Sequence, residues 1–305
     1  MSGFTLKAGN LTKRYGSVEA LKDFSVNLEG NKIYGLFGRN GAGKTTFLDI
    51  ITSRIFADGG EVSIFGKNAV ENQEVMSDIC YMPEKSLFIT SMRISEILKS
   101  AAAFYDKFDM SYAESLSEKF GLNLKKKYKA LSRGYESILR IVIGLASKAS
   151  LTIFDEPVLG LDAAARDMFY RELLSDYTAN PRAFIISTHL VEESAEIFEE
   201  AIIIKEGELV THMAVDKLKD KARYVSGKAS VVDQAVAGFK VVHSEIMGNI
   251  KVCAVFDDLD EERLEKMRGQ GVDISPVSVQ KIFIHFTEKA DNSRRLPANG
   301  REGMK

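Results

Sequence analysis

The run Ile33-Tyr34-Gly35-Leu36-Phe37, followed directly by Gly38-Arg39-Asn40-Gly41-Ala42-Gly43-Lys44-Thr45-Thr46, decides how this chain is read. A short apolar run that stops in glycines reads as a buried strand, and the residues beyond Lys44 have helical spacing. The G-x-x-x-x-G-K-T spacing between them is that of a phosphate-binding loop. Its glycines let successive backbone N–H groups turn inward toward phosphate oxygens, and the following helix adds the positive end of its dipole. In this reading residues 38–46 cradle a nucleoside triphosphate. Lys44 reaches the β- and γ-phosphates, and the Thr45 hydroxyl ligates Mg²⁺. With glycine at roughly 7% of residues, such a spacing arises by chance about once in 100 chains of this length, so the motif is specific.

A phosphate loop needs a metal-side carboxylate and a group that aims the attacking water. Residues 151–154 form a second buried-strand candidate that ends in Asp155-Glu156. Asp155 is placed to hold hydrated Mg²⁺, and Glu156 to polarise water as a general base. Taken alone, an Asp-Glu pair at a strand end is as commonly a solvated terminus; beside a phosphate loop it acquires chemistry. Further strands are expected at 183–187, 201–205 and 208–212, alternating with helical segments, which implies a mostly parallel sheet. Residues 91–148 read as a helical insert. There Ile94, Ile97, Leu98, Ala101, Ala102 and Tyr105 make one apolar stripe, and Ser111-Tyr112-Ala113-Glu114 fits a capping box. An acidic surface helix is expected through Glu192, Glu193, Glu196, Glu199 and Glu200.

From about Arg223 the pattern restarts in the order βαββαβ, that of a small ferredoxin-like unit. The expected division is therefore 1–220 for a nucleotide-binding domain with its helical part at about 91–148, 221–289 for a C-terminal α+β domain, and 290–305 for a disordered tail poor in apolar residues. Composition sets the outer limits. Lys plus Arg is 41 against 43 for Asp plus Glu, a net charge of −2, which argues against a protein built to coat nucleic acid. The longest stretch free of charged residues runs only over 183–191, too short to span a bilayer. The first ten residues lack a signal-peptide apolar core, and two cysteines make no disulfide scaffold, so a cytosolic protein is expected. His212, His243 and His285 lack metal-ligand spacing and read as structural or exposed.

Five further motifs fall in a telling order. Lys13-Arg14-Tyr15-Gly16 precedes the phosphate loop, and Tyr81-Met82-Pro83-Glu84 follows it. Leu131-Ser132-Arg133-Gly134-Tyr135 precedes Asp155, while Gly160-Leu161-Asp162 and Ser187-Thr188-His189 follow. Together they resemble the ATP-binding-cassette (ABC) ATPases over residues 1 to about 215. The resemblance implies that Tyr15 stacks on adenine, that Ser132 and Gly134 belong to the signature loop contacting the nucleotide of a second cassette, and that His189 contacts the γ-phosphate. It places Glu84 at the Q-loop, as a metal-side ligand where the family usually has Gln. Tyr-x-Pro-Glu there is similar to the two-component bacterial drug and peptide exporter ATPases. The signature departs from LSGGQ at Arg133 and Tyr135 but keeps Ser132 and Gly134.

The family mechanism implies ATP and Mg²⁺ as ligands, a head-to-tail pair with a copy or close homologue, and a separate transmembrane permease. It implies a position at the cytoplasmic face of the cell membrane and no direct nucleic-acid partner. A soluble cassette that remodels a ribosome, DNA or an assembly scaffold is the alternative. Tandem cassettes or a long coiled-coil insert would favour it, and neither is present. The segment Pro276 to Phe283 resembles a C-terminal ending common in those exporters, with a regulatory or a plain packing role equally open.

Overall fold

Apolar side chains on both faces force the strand Ile33–Phe37 into the middle of a sheet. Ile33 and Phe37 enter one core cluster, and Tyr34 and Leu36 the other. The computed structural model describes residues 3–85, 88–191 and 195–288, so the tail expected at 290–305 lies outside the described residues. Around Ile33–Phe37 a six-stranded sheet runs in the order Glu208–Ala214, Glu200–Lys205, Ile33–Phe37, Ala183–Thr188, Leu151–Asp155, Ile79–Met82. All neighbours are parallel except the outer hairpin strand Glu208–Ala214. The carboxyl ends of Ile33–Phe37 and Leu151–Asp155 therefore emerge on the same edge, one strand apart, where ligands bind open α/β sheets.

A second, antiparallel sheet orders Val18–Glu29, Thr5–Tyr15, Gly59–Ile64 and Lys67–Asn68. The first two strands are much longer than their short apolar runs suggest. Leu6, Ala8 and Leu11 turn inward while the polar residues between them face water, an alternation that one solvated face permits. Helix Lys44–Ile51 lies between the two sheets, with Phe47, Leu48, Ile50 and Ile51 buried.

The helical insert comprises Ile94–Phe104, Met110–Lys119 and Arg133–Ala146, which pack on one another. The expected capping box is displaced. Ser111 already lies inside the second helix, and Asp109 is its cap, accepting from the Tyr112 amide at 2.9 Å. A carboxylate there also meets the positive helix end. The acidic surface helix is not found among the described residues, and Glu192 and Glu193 lie outside them. The chain instead enters strand Glu200–Lys205. Glu199 Oε2 accepts from the Ile33 amide (3.1 Å) and the Tyr177 hydroxyl (2.7 Å), and Glu200 pairs with Lys32 (2.7 Å) and His212 (3.2 Å).

The C-terminal unit contains a four-stranded antiparallel sheet in the order Val241–Met247, Ile250–Phe256, Ala222–Lys228, Asp273–Pro276. With helices Ala229–Ala235 and Glu261–Gly269 this is the ferredoxin-like arrangement, and it has its own small core around Val225, Val232, Cys253, Val255 and Met267. The last helix, Val279–Thr287, packs outside that core. Val279, Ile282, Phe283 and Phe286, at i, i+3, i+4 and i+7, are buried. Phe286 meets Phe256 edge-on at 4.8 Å, and the Phe283 ring lies 6.4 Å from that of Phe37. Each such side chain stabilises the contact by about 1.5–3 kcal/mol. Among the described residues no helix is long and apolar enough to cross a membrane.

Candidate active site

Gly43 closes the phosphate loop with φ 108°, a backbone that side chains resist, and a Cβ there would lie 2.5 Å from the Ala20 carbonyl. The loop is thus pressed against the long hairpin, and the helix opens immediately at Lys44. Lys44 is buried, its Nζ donating to the Gly38 carbonyl at 2.7 Å and lying 3.4 Å from Glu156 Oε1. The Thr45 hydroxyl donates to Asp155 Oδ2 at 2.7 Å. This bond brings together two motifs 110 residues apart.

Asp155 and Glu156 are both buried. Glu156 takes a left-handed backbone, φ 49°, rare for a side chain of this size, and its amide is tied to the Ser187 carbonyl at 2.9 Å. Such a conformation costs on the order of 1–3 kcal/mol and persists where the surroundings impose it. It turns the carboxylate between Lys44 and His189, whose Nδ1 lies 2.9 Å from Oε2. Asp155 Oδ1 is buried with no hydrogen-bond partner. Two adjacent carboxylates against one lysine leave negative charge uncompensated. An oxygen-only set of Thr45 Oγ1 and the Asp155 carboxylate suits a hard, hydrated divalent cation, so these residues fit Mg²⁺.

A cleft of about 840 Å³ opens over these groups, lined by Tyr15, Val18, residues 39–46, Glu84, Asp155 and Glu156. Tyr15 stands at its rim, 51% exposed, a ring face available for stacking. Glu84 is exposed and reaches both this cleft and a neighbouring cavity shared with Arg133, Glu136 and Arg140. Ser132 and Gly134 do not line the cleft. Ser132 caps helix Arg133–Ala146, its Oγ accepting from the Tyr135 amide at 3.4 Å. A Cβ on Gly134 would meet the Gly160 carbonyl at 2.6 Å, so this glycine permits close backbone approach between the first turn of that helix and the turn at Gly160.

The family model described as ABC transporter matches residues 21–159. The ABC transporter ATP-binding protein YtrB of Bacillus subtilis is 30% identical over 211 residues, 69% of this chain and 72% of that protein. The chain belongs to the ABC transporter ATP-binding proteins. The bacitracin transport ATP-binding protein BcrA of Bacillus licheniformis is 27% identical over 90% of this chain and 93% of its own length, a span that takes in the C-terminal unit. In fold, the ABC ATPase resembles an ATP-binding subunit of an ABC transporter (24% identity, TM-score 0.63, 70% of this chain and 91% of that one). It also resembles a bacterial ABC transporter cassette solved as a dimer (20% identity, TM-score 0.62, 69% and 98%). This chain is thus an ATP-binding, ATP-hydrolysing transporter subunit.

One residue of the ABC ATPase site escaped sequence reasoning. Arg140 is buried in the signature helix, where Nη1 donates to the carbonyl of Pro83 (2.7 Å) and more weakly to that of Asp155 (3.4 Å). Its Nη2 donates to Ser137 Oγ (2.7 Å), whose hydroxyl in turn donates to the Leu159 carbonyl (2.7 Å). Burial pulls the Arg140 pKa down from its ordinary value, opposed by Tyr128, Glu84 and Asp155. The available signal is an arginine inside the apolar run Ile138-Leu139-Arg140-Ile141-Val142, since a charge so placed requires partners.

Proposed function

We propose that this cassette pairs with a copy of itself or a close homologue around two ATP molecules. The pair drives export of a peptide, drug or lipid through a separate transmembrane subunit at the cytoplasmic face of the membrane. The observation that carries the pairing is the signature helix: Ser132, Arg133 and Tyr135 are exposed, and none of them lines the chain's own nucleotide cleft. A helix N-terminus with free N–H groups attracts an anion, and the γ-phosphate held by a second cassette is such an anion. Export rests on Tyr81-Met82-Pro83-Glu84 and on the similarity to proteins named for bacitracin transport.

In this reading the amides of residues 38–46 take the phosphates, and Tyr15 stacks on the base. Lys44 turns from the Gly38 carbonyl and Glu156 toward the β- and γ-phosphates. That frees Glu156 Oε1 to accept a proton from water, while His189 holds Oε2 and meets the γ-phosphate. Thr45, Asp155 and Glu84 would hold Mg²⁺, which would supply neutralisation of charge on the transferring phosphoryl group. Residues 1–220 form the ATPase, with its helical part at 91–148, and 221–289 an accessory domain. The tagged chain is to be purified from detergent-solubilised membranes of its host. A stoichiometric multi-helix membrane protein is the expected companion. Recovery only with ribosomes, nucleic acid or assembly factors would overturn the transporter partner while leaving the ATPase in place.

A further inference from the structure

The C-terminal unit brings together two histidines and a glutamate that belong to none of the nucleotide motifs. His243 lies on strand Val241–Met247; His285 and Glu288 lie three apart at the end of helix Val279–Thr287. One ligand atom from each can be chosen so that all three lie within 4.8 Å of one another. The imidazoles stack nearly parallel, centroids 4.1 Å apart at 21°, and His243 Nδ1 is 3.7 Å from Glu288 Oε2.

Two details give this cluster the character of a site. His285 Nε2 is engaged by the Tyr224 hydroxyl at 2.8 Å, while His285 Nδ1 is buried with no hydrogen-bond partner. A phenol that fixes one imidazole nitrogen and leaves the other free is how ligating histidines are oriented. The cluster also sits at the carboxyl end of a helix, where the dipole favours a cation.

We propose that His243, His285 and Glu288 form a binding site for a divalent transition-metal ion of the zinc class, which joins the accessory sheet to the last helix. Two imidazole nitrogens and one carboxylate select Zn²⁺, Co²⁺, Ni²⁺ or Cu²⁺ over Mg²⁺ and Ca²⁺, which prefer oxygen alone. With bonds of about 2.0–2.2 Å, tetrahedral ligand atoms stand roughly 3.4 Å apart, so the two imidazoles must unstack and turn their nitrogens toward a common point as the ion binds. Three protein ligands leave one position to water. The sequence hides this arrangement because a strand and a helix, not a local spacing, supply the ligands. The helix so held is the one that reaches the nucleotide-binding edge. Thr287 shares a cavity of about 320 Å³ with residues 39–42, and Lys205 Nζ donates to the Glu288 carbonyl at 2.7 Å.

The test uses the full chain, freed of metal, and titrates Zn²⁺ against a chromogenic chelator with millimolar Mg²⁺ present. One Zn²⁺ per chain is expected. His243→Ala and His285→Ala each abolish it, and Tyr224→Phe, which removes only the orienting phenol, weakens it about 10-fold. ATP binding, read separately, stays at the wild-type level and shows that the variants are folded. On the wild-type protein, ¹⁵N imidazole spectra must shift at His243 and His285 on adding Zn²⁺. Absence of stoichiometric binding, full binding in the double histidine variant, or shifts confined to His189 or His212 would each overturn the site.

Discussion

Arg140→Met keeps the length and apolar stem of the side chain and removes only its guanidinium. Two short bonds are lost, to the Pro83 carbonyl and to Ser137 Oγ, both 2.7 Å. A hydrogen bond from a charged donor is worth about 1.5–3 kcal/mol, so the gross loss is about 3–6 kcal/mol. Part is recovered, because Arg140 Nε is buried without an acceptor, an arrangement that itself costs about 1–3 kcal/mol. The net destabilisation is about 2–3 kcal/mol. At about 2–4 °C per kcal/mol for a unit of this size, the unfolding transition falls by about 4–12 °C. Turnover should fall further than stability explains, because Pro83 positions Glu84 and Asp155 carries the metal side. ATP affinity should hold, since the cleft lining does not include Arg140. Arg140→Lys, with one charged donor left for Pro83, should recover part of both losses. Calorimetry and a phosphate-release assay on the three proteins decide the matter. If Arg140→Met melted with the wild type and turned over at its rate, the guanidinium would not be holding the loop.

Glu156→Gln should lower turnover by about 10²–10⁴-fold, the range for loss of a general base, while ATP-bound dimer accumulates on size-exclusion; hydrolysis at the wild-type rate removes Glu156 from that role. Gly134→Ala drives a methyl to 2.6 Å from the Gly160 carbonyl, and overpacking of about 1–3 kcal/mol should slow turnover about 10-fold with ATP binding unchanged. A wild-type rate there would show that the helix start and the Gly160 turn need not touch. Tyr15→Ala removes a stacking face worth about 0.5–1.5 kcal/mol and should raise KM for ATP and GTP alike by about 3–10-fold; fluorescence titration with both nucleotides checks this, and a loss confined to ATP would mean that the ring reads the base.

The phosphate loop and the strands that frame it were legible because their requirements are local. Gly38 to Thr45 is one spacing, and Ile33–Phe37 and Leu151–Asp155 carry apolar residues on both faces. The βαββαβ unit was readable for a similar reason, since each apolar run stops at a turn marker such as Gly248-Asn249. What escaped is set by distant partners. Besides the nearby Ser137, the acceptors of Arg140 lie 57 and 15 residues away, and nothing near residue 140 announces those two. Glu199 and Glu200 read as surface residues because their partners Ile33, Tyr177, Lys32 and His212 come from other strands and a helix. Asp109 displaced Ser111 as a cap because two good capping residues stood two apart and only the packed helix could choose between them.

The contact between Gly134 and Gly160 leaves no room for a side chain on Gly134, so the first helical turn and the Gly160 turn fit like meshed teeth. On one side of the mesh, Ser137 grips the Leu159 carbonyl, three residues from Glu156; on the other, Ser132 caps the helix and is exposed. If the cassettes pair head to tail as proposed, this linkage would join Glu156 of one subunit to the pocket of the other. In the proposed head-to-tail pair, a disturbance at this one contact would therefore be felt at both nucleotide pockets.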